Sequence, residues 1–125
     1  MGEVKKVLYA EDEYTNGRLI QILLNREGIQ CDLASDGRQA LNMYNNTKYD
    51  LIILDYHMPV FSGVEVAKRI RLVDKSIPII GITSDEEKKP ALQQVGFTEI
   101  FIKPLHNSNY LEVILSYLKV EKGLR

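Results

Sequence analysis

The strongest constraint on this chain is a rhythm in its apolar residues. Five short, mainly hydrophobic runs alternate with longer stretches in which apolar residues recur at helical spacing. The first run is Val7-Leu8-Tyr9-Ala10, followed by Leu19, Ile20, Ile22, Leu23 and Leu24 on one helical stripe. Cys31 to Ala34 predicts a second strand and Gly37 to Asn45 a helix that Asp36 can cap. Leu51-Ile52-Ile53-Leu54 predicts a third strand, and Val64 to Leu72 its helix. The fourth run, Ile79-Ile80-Gly81-Ile82, is bracketed by Pro78 and Thr83, then gives way to the polar stretch Ser84 to Lys89 and a short helical pattern from Ala91 to Val95. Ile100-Phe101-Ile102 closes the series at Lys103-Pro104. A last amphipathic helix is carried by Tyr110, Leu111, Ile114, Leu115 and Leu118, with basic residues expected in its final turns.

Five strands, each followed by a helix, imply right-handed crossovers and a parallel sheet covered on both faces. Two-sided burial explains why the strands read as continuous apolar runs instead of alternating ones. At 125 residues the chain suits one domain, expected over 1–125, with no linker or repeat. A net charge of -1 argues against a surface that collects nucleic acid or anionic lipid. The amino end has no long apolar run, and Lys6 stands where a myristoylation motif wants Ser or Thr, so neither membrane insertion nor lipid anchoring is expected. The lone Cys31 reads as a small core residue, consistent with a cytoplasmic location.

In open parallel sheets, ligands gather beyond the carboxyl ends of the strands. There the sequence places Glu11 and Asp12 after the first strand, Asp55 after the third, Thr83 after the fourth and Lys103 after the fifth. Three close carboxylates repel one another unless a cation lies among them. Magnesium, which takes oxygen ligands and keeps several waters, is the economical choice. With it, Asp55 can attack phosphorus as a nucleophile, while Lys103 and the Thr83 hydroxyl bind phosphoryl oxygens.

Four blocks then carry a resemblance: Val7-Leu8-Tyr9-Ala10-Glu11-Asp12-Glu13; Leu54-Asp55-Tyr56-His57-Met58-Pro59 with Gly63 beyond; Ile82-Thr83-Ser84; and Lys103-Pro104. In this order and on these elements they resemble the receiver domains of two-component response regulators. The resemblance implies a flavodoxin-like (βα)5 doubly wound sandwich with strand order 2-1-3-4-5. It further implies a phosphoacceptor that assists its own phosphorylation and dephosphorylation, rather than an enzyme acting on a separate substrate. Asp55 would be the acceptor. Asp12 and Asp55 would ligate Mg2+, Glu11 would support it through water, and the main-chain carbonyl of His57 would complete the protein ligands. Thr83 and Lys103 would bind the phosphoryl group, with the Lys103-Pro104 peptide bond cis. The implied partners are a histidine kinase or a histidine phosphotransfer protein, while the oligomeric state is not specified. Glu11, where aspartate is commoner, together with Asn16, is similar to receivers of hybrid histidine kinases.

Two positions depart from the pattern. The switch aromatic that often precedes the lysine by three residues is here Ile100, and the neighbouring Phe101 should point to the other side of its strand. Pro90 should make the fourth helix short or late and so alter the output face. The side chains of His57 and Asp85 are expected to influence water access to an acyl phosphate, with His57 serving a metal through its carbonyl alone. His106 is read as solvated, Tyr44, Tyr49 and Tyr117 as helix-face packing residues, and Gly63 as a source of backbone freedom. A haloacid-dehalogenase-type phosphatase would want an acid where His57 stands and a cap insertion. A flavodoxin would want a phosphate-binding loop where Glu11-Asp12-Glu13 lies, and a receiver-like interaction module without phosphorylation would be expected to lack a site residue.

Overall fold

In the computed structural model, which describes residues 4–105 and 109–120, the expected alternation is present. The order is β1 (Lys6–Ala10), α1 (Tyr14–Arg26), β2 (Gln30–Ala34), α2 (Gly37–Asn46), β3 (Leu51–Asp55), α3 (Gly63–Val73), β4 (Ile79–Thr83), a 3-10 turn (Glu86–Lys88), α4 (Lys89–Val95), β5 (Glu99–Ile102) and α5 (Tyr110–Leu118). All strand pairs are parallel and the sheet runs β2-β1-β3-β4-β5. Strand order therefore reverses between β1 and β3, which opens a crevice at their carboxyl ends.

Alternate residues of the central strands feed two cores. Leu8, Ile52, Leu54 and Ile79 pack with Val66, Ala67 and Ile70 of α3 and Leu92 of α4. Val7, Tyr9, Leu51, Ile53, Ile80 and Ile82 pack on the other face with Ile20 and Leu24 of α1 and Ile114, Leu115 and Leu118 of α5. Each Leu or Ile so buried contributes about 1.5–3 kcal/mol of transfer free energy. Cys31 belongs to the second core, and burial pushes its thiol pKa up to about 12, so it stays protonated at neutral pH.

Local signals act as read. The Asp36 carboxylate accepts the Gln39 N–H at 2.8 Å and starts α2. Ser62 and Glu65 form a reciprocal capping box at the start of α3. Pro90 falls in the first turn of α4, where no intrahelical N–H bond is lost, and the helix has 7 residues. Ile100 enters the α3/α4 core, whereas Phe101 packs on the opposite face, edge-on to Tyr110 at 6.4 Å between ring centroids.

Three details differ from expectation. No basic residue lies in the last turn of α5, since the helix stops at Leu118 and Lys119 turns left-handed. Tyr49 lies in the α2–β3 loop, its hydroxyl donating to Asp32 of β2 at 2.8 Å. Gly63 does not adopt positive φ; a Cβ there would stand 2.5 Å from the Asp55 carbonyl oxygen, so the requirement is space. His106 lies outside the described residues.

Candidate functional site

Strand register brings the separated residues together. Ala10 pairs with Leu54, which sets Glu11 level with Asp55; Asp55 pairs with Ile82, and Thr83 with Ile102. Thr83 therefore ends β4 one residue beyond the Asp55 level, and Lys103, the residue after β5, stands two beyond it. Glu11, Asp12 and Asp55 each offer a carboxylate oxygen, and these lie within 4.8 Å of one another. Glu11 and Asp55 are buried and Asp12 is exposed, so the cluster opens to solvent on the Asp12 side.

Lys103 arrives from β5, next to a cis peptide bond to Pro104. Its Nζ donates to Asp55 Oδ2 at 2.8 Å and stands 3.7 Å from Glu11 Oε1. Asp55 Oδ1 accepts the His57 N–H at 3.2 Å, which fixes the carboxylate from the other side. Glu11 Oε2 accepts the Glu13 N–H at 3.3 Å, and its Oε1 lies 3.4 Å from the Tyr9 hydroxyl. Thr83 is fully buried; its Oγ1 accepts the Asp85 N–H at 3.1 Å, leaving the hydroxyl proton able to donate elsewhere.

The electrostatics follow from crowding. Burial, then the hydrogen bond with Asp55 and its charge, push the Glu11 carboxyl up to about 8, against the opposing effects of Lys103 and the Glu13 amide. Burial works against the Lys103 ammonium, but the hydrogen bond to Asp55 and the charges of Asp55, Glu11 and Asp12 outweigh it and hold its pKa above the ordinary lysine range. Among the described residues Lys103 is the cation paired with these acids, so three carboxylates face one ammonium. An all-oxygen donor set so short of positive charge that Glu11 holds its proton up to about pH 8 fits a hard divalent cation, which would displace that proton.

On the Asp12 side of the cluster lies a cavity of about 430 Å³, bordered by Asp12, Tyr56, His57, Met58, Pro59 and Ser62. The exposed His57 ring meets the Tyr56 ring edge-on at 4.7 Å. Sequence reasoning missed Tyr9 as a neighbour of the cluster, having read it only as part of an apolar run. The available signal was its spacing of two from Glu11, which puts both side chains on one face of an extended strand.

A family model for the response regulator receiver domain matches residues 7–115. Two-component response regulator 24 of Arabidopsis thaliana is 33% identical over 110 residues, covering 86% of this chain and 79% of that protein. Hybrid signal transduction histidine kinase I of Dictyostelium discoideum is 36% identical over 121 residues, 88% of this chain and 7% of the kinase, so the chain spans a small part of that relative. Among solved structures, response regulator TrrA of Thermotoga maritima, in complex with Mg2+ and BeF, shares 32% identity at a TM-score of 0.83, covering 91% of this chain and 99% of that one. Chemotaxis response regulator CheY4 of Vibrio cholerae shares 30% identity at a TM-score of 0.85, covering 92% and 99%.

Proposed function

Because the chain belongs to the response regulator receiver domains, the phosphoaccepting modules of two-component signalling, we propose that Asp55 is its acceptor and that residues 1–125 form one receiver domain. The carrying observation is the meeting of three carboxylate side chains and Lys103 at the strand ends, with Nζ 2.8 Å from Asp55 Oδ2. Asp12 and Asp55 would ligate Mg2+ directly, Glu11 would hold it through water, and the His57 carbonyl would complete the protein ligands. The magnesium-bound relative from Thermotoga maritima supports this reading. When bound, the ion offsets the charge between carboxylate and phosphoryl group.

In the reaction, an Asp55 oxygen forms a bond to phosphorus as the phosphorus–nitrogen bond of a phosphohistidine breaks, and the departing imidazole takes up a proton. Lys103 leaves its contact with Asp55 for a phosphoryl oxygen, and the buried Thr83 hydroxyl donates to another. The donor approaches through the cavity beside Asp12, whose border includes the exposed His57; its ring, and the Asp85 side chain two residues after Thr83, set how readily water later reaches the acyl phosphate.

A two-component context implies a kinase or phosphotransfer partner, and a histidine kinase or histidine phosphotransfer protein is the donor proposed here. The similarity to a hybrid kinase, with Glu11 and Asn16, supports a receiver of that kind. No described helix is long and apolar enough to cross a membrane. A cytoplasmic site of action agrees with that and with the protonated, buried Cys31. The 7-residue α4 presents a reduced face for output contacts.

Mass spectrometry after incubation with a small phosphodonor tests the assignment. One phosphoryl group should map to Asp55 with magnesium and be lost in Asp55→Asn with the fold intact. Labelling that persists in this variant would refute it.

A further inference from the structure

Tyr9 is among the largest fully buried side chains, at 1% exposure, yet it carries a hydroxyl into a core where phenylalanine would fill nearly the same volume. A buried hydroxyl is costly unless it has a hydrogen-bond partner. Its partner is Glu11 Oε1 at 3.4 Å, a long contact between residues two apart on the same face of the strand end. The same oxygen lies 3.7 Å from Lys103 Nζ, while that ammonium is already 2.8 Å from Asp55. Glu11 and Asp55 thus compete for one lysine, and the tyrosine supplies Glu11 with another donor. Behind them, a cleft of about 730 Å³ between α1 and α5 is bordered by Tyr9, Glu11 and Lys103, and gives a Glu11 held only by the Glu13 N–H and Lys103 room to turn away.

Resting on the magnesium site proposed above, we infer that Tyr9 is a positioning residue: its hydroxyl holds the Glu11 carboxylate towards the cation and leaves Lys103 to Asp55 and the phosphoryl group. Once Glu11 is ionised beside a cation, the contact becomes a charge-assisted hydrogen bond.

The test is a double-mutant cycle on Mg2+ affinity by calorimetry, with the fold checked by circular dichroism. Tyr9→Phe should weaken binding about three- to tenfold, the effect of one hydrogen bond of ordinary net strength. In Glu11→Asp, whose carboxylate is one methylene shorter and stops short of the hydroxyl, the same change should cost less than about twofold. A tyrosine that merely packs would lower stability alike in both backgrounds without this coupling. Unchanged affinity in Tyr9→Phe, or equal losses in the two backgrounds, would overturn the inference. Should Tyr9→Phe not fold, the Tyr9 Cζ resonance of the unsubstituted protein gives the answer: it should shift on adding magnesium and stay fixed in Glu11→Asp. A resonance indifferent to magnesium in the unsubstituted protein overturns the inference even if the ion binds. Failure of the unsubstituted protein to bind magnesium at all removes the functional reading, and this inference with it.

Discussion

A methyl group on Gly63 would stand 2.5 Å from the carbonyl oxygen of Asp55 and 3.2 Å from Tyr56 Cα. Both atoms are backbone and carry the proposed acceptor, so neither can yield without moving it. Gly63→Ala should therefore cost about 1–3 kcal/mol in urea denaturation, as overpacking does, and should also weaken Mg2+ binding. At Gly17 the added carbon would meet the Leu33 Cδ2 methyl at 3.3 Å, a flexible side-chain end, so Gly17→Ala should cost less and spare the metal site. Equal effects of the two substitutions would contradict this account of Gly63. The placement of Thr83 and Lys103 at the strand ends was legible because each directly follows or closes an apolar run. Gly63 was legible only as a glycine, since what it excludes depends on a backbone eight residues away.

The turn between α3 and β4 shows how an element is held by charge and hydrogen bonds. Asp74 Oδ1 accepts the Ser76 N–H at 2.9 Å, the Ile77 N–H at 3.0 Å and the Ser76 hydroxyl at 3.2 Å. Arg71 reaches from the last turn of α3 to the carbonyls of Asp74, Ile77 and Gly96, tying this turn to the one before β5. The Ser76 amide first, then the Ile77 amide, the Ser76 hydroxyl and the Arg71 charge, against the effect of burial, hold the Asp74 carboxyl below its ordinary value. A depressed folded pKa means stability that is fully present above the unfolded pKa and lost as pH falls through the folded one. Asp74→Asn keeps an acceptor oxygen but removes the charge. It should lower stability at pH 7 by less than about 1 kcal/mol, the partly open site being screened by solvent. That difference should persist down to the ordinary aspartate pKa, about 3.9, and shrink as the pH falls below it. A deficit independent of pH would show that the charge contributes nothing. The shortness of α4 was legible from Pro90 because proline acts locally, whereas the end of α5 was not, because Lys119 adopts a left-handed turn that no residue type there announces.

Across the whole molecule, the alternation of elements was readable because a parallel sheet buried on both faces writes itself as mainly apolar runs. Strand order was not written in those runs; it came from the resemblance, and the register then shows why it matters, bringing Glu11 level with Asp55 and Lys103 to the same end. Tyr49 and Tyr9 escaped the sequence reading for one reason: a tyrosine's ring announces burial, but only the fold tells where its hydroxyl lands. Everything functional depends on acids from β1 and β3 and a lysine from β5 sharing one cation-binding pocket. An NMR titration of the labelled protein with Mg2+ examines that sharing directly. The expected result is saturable shifts of amides at 10–13, 55–58, 83–85 and 103, abolished in Asp12→Asn; shifts confined to one of these segments, or none that saturate, would contradict it.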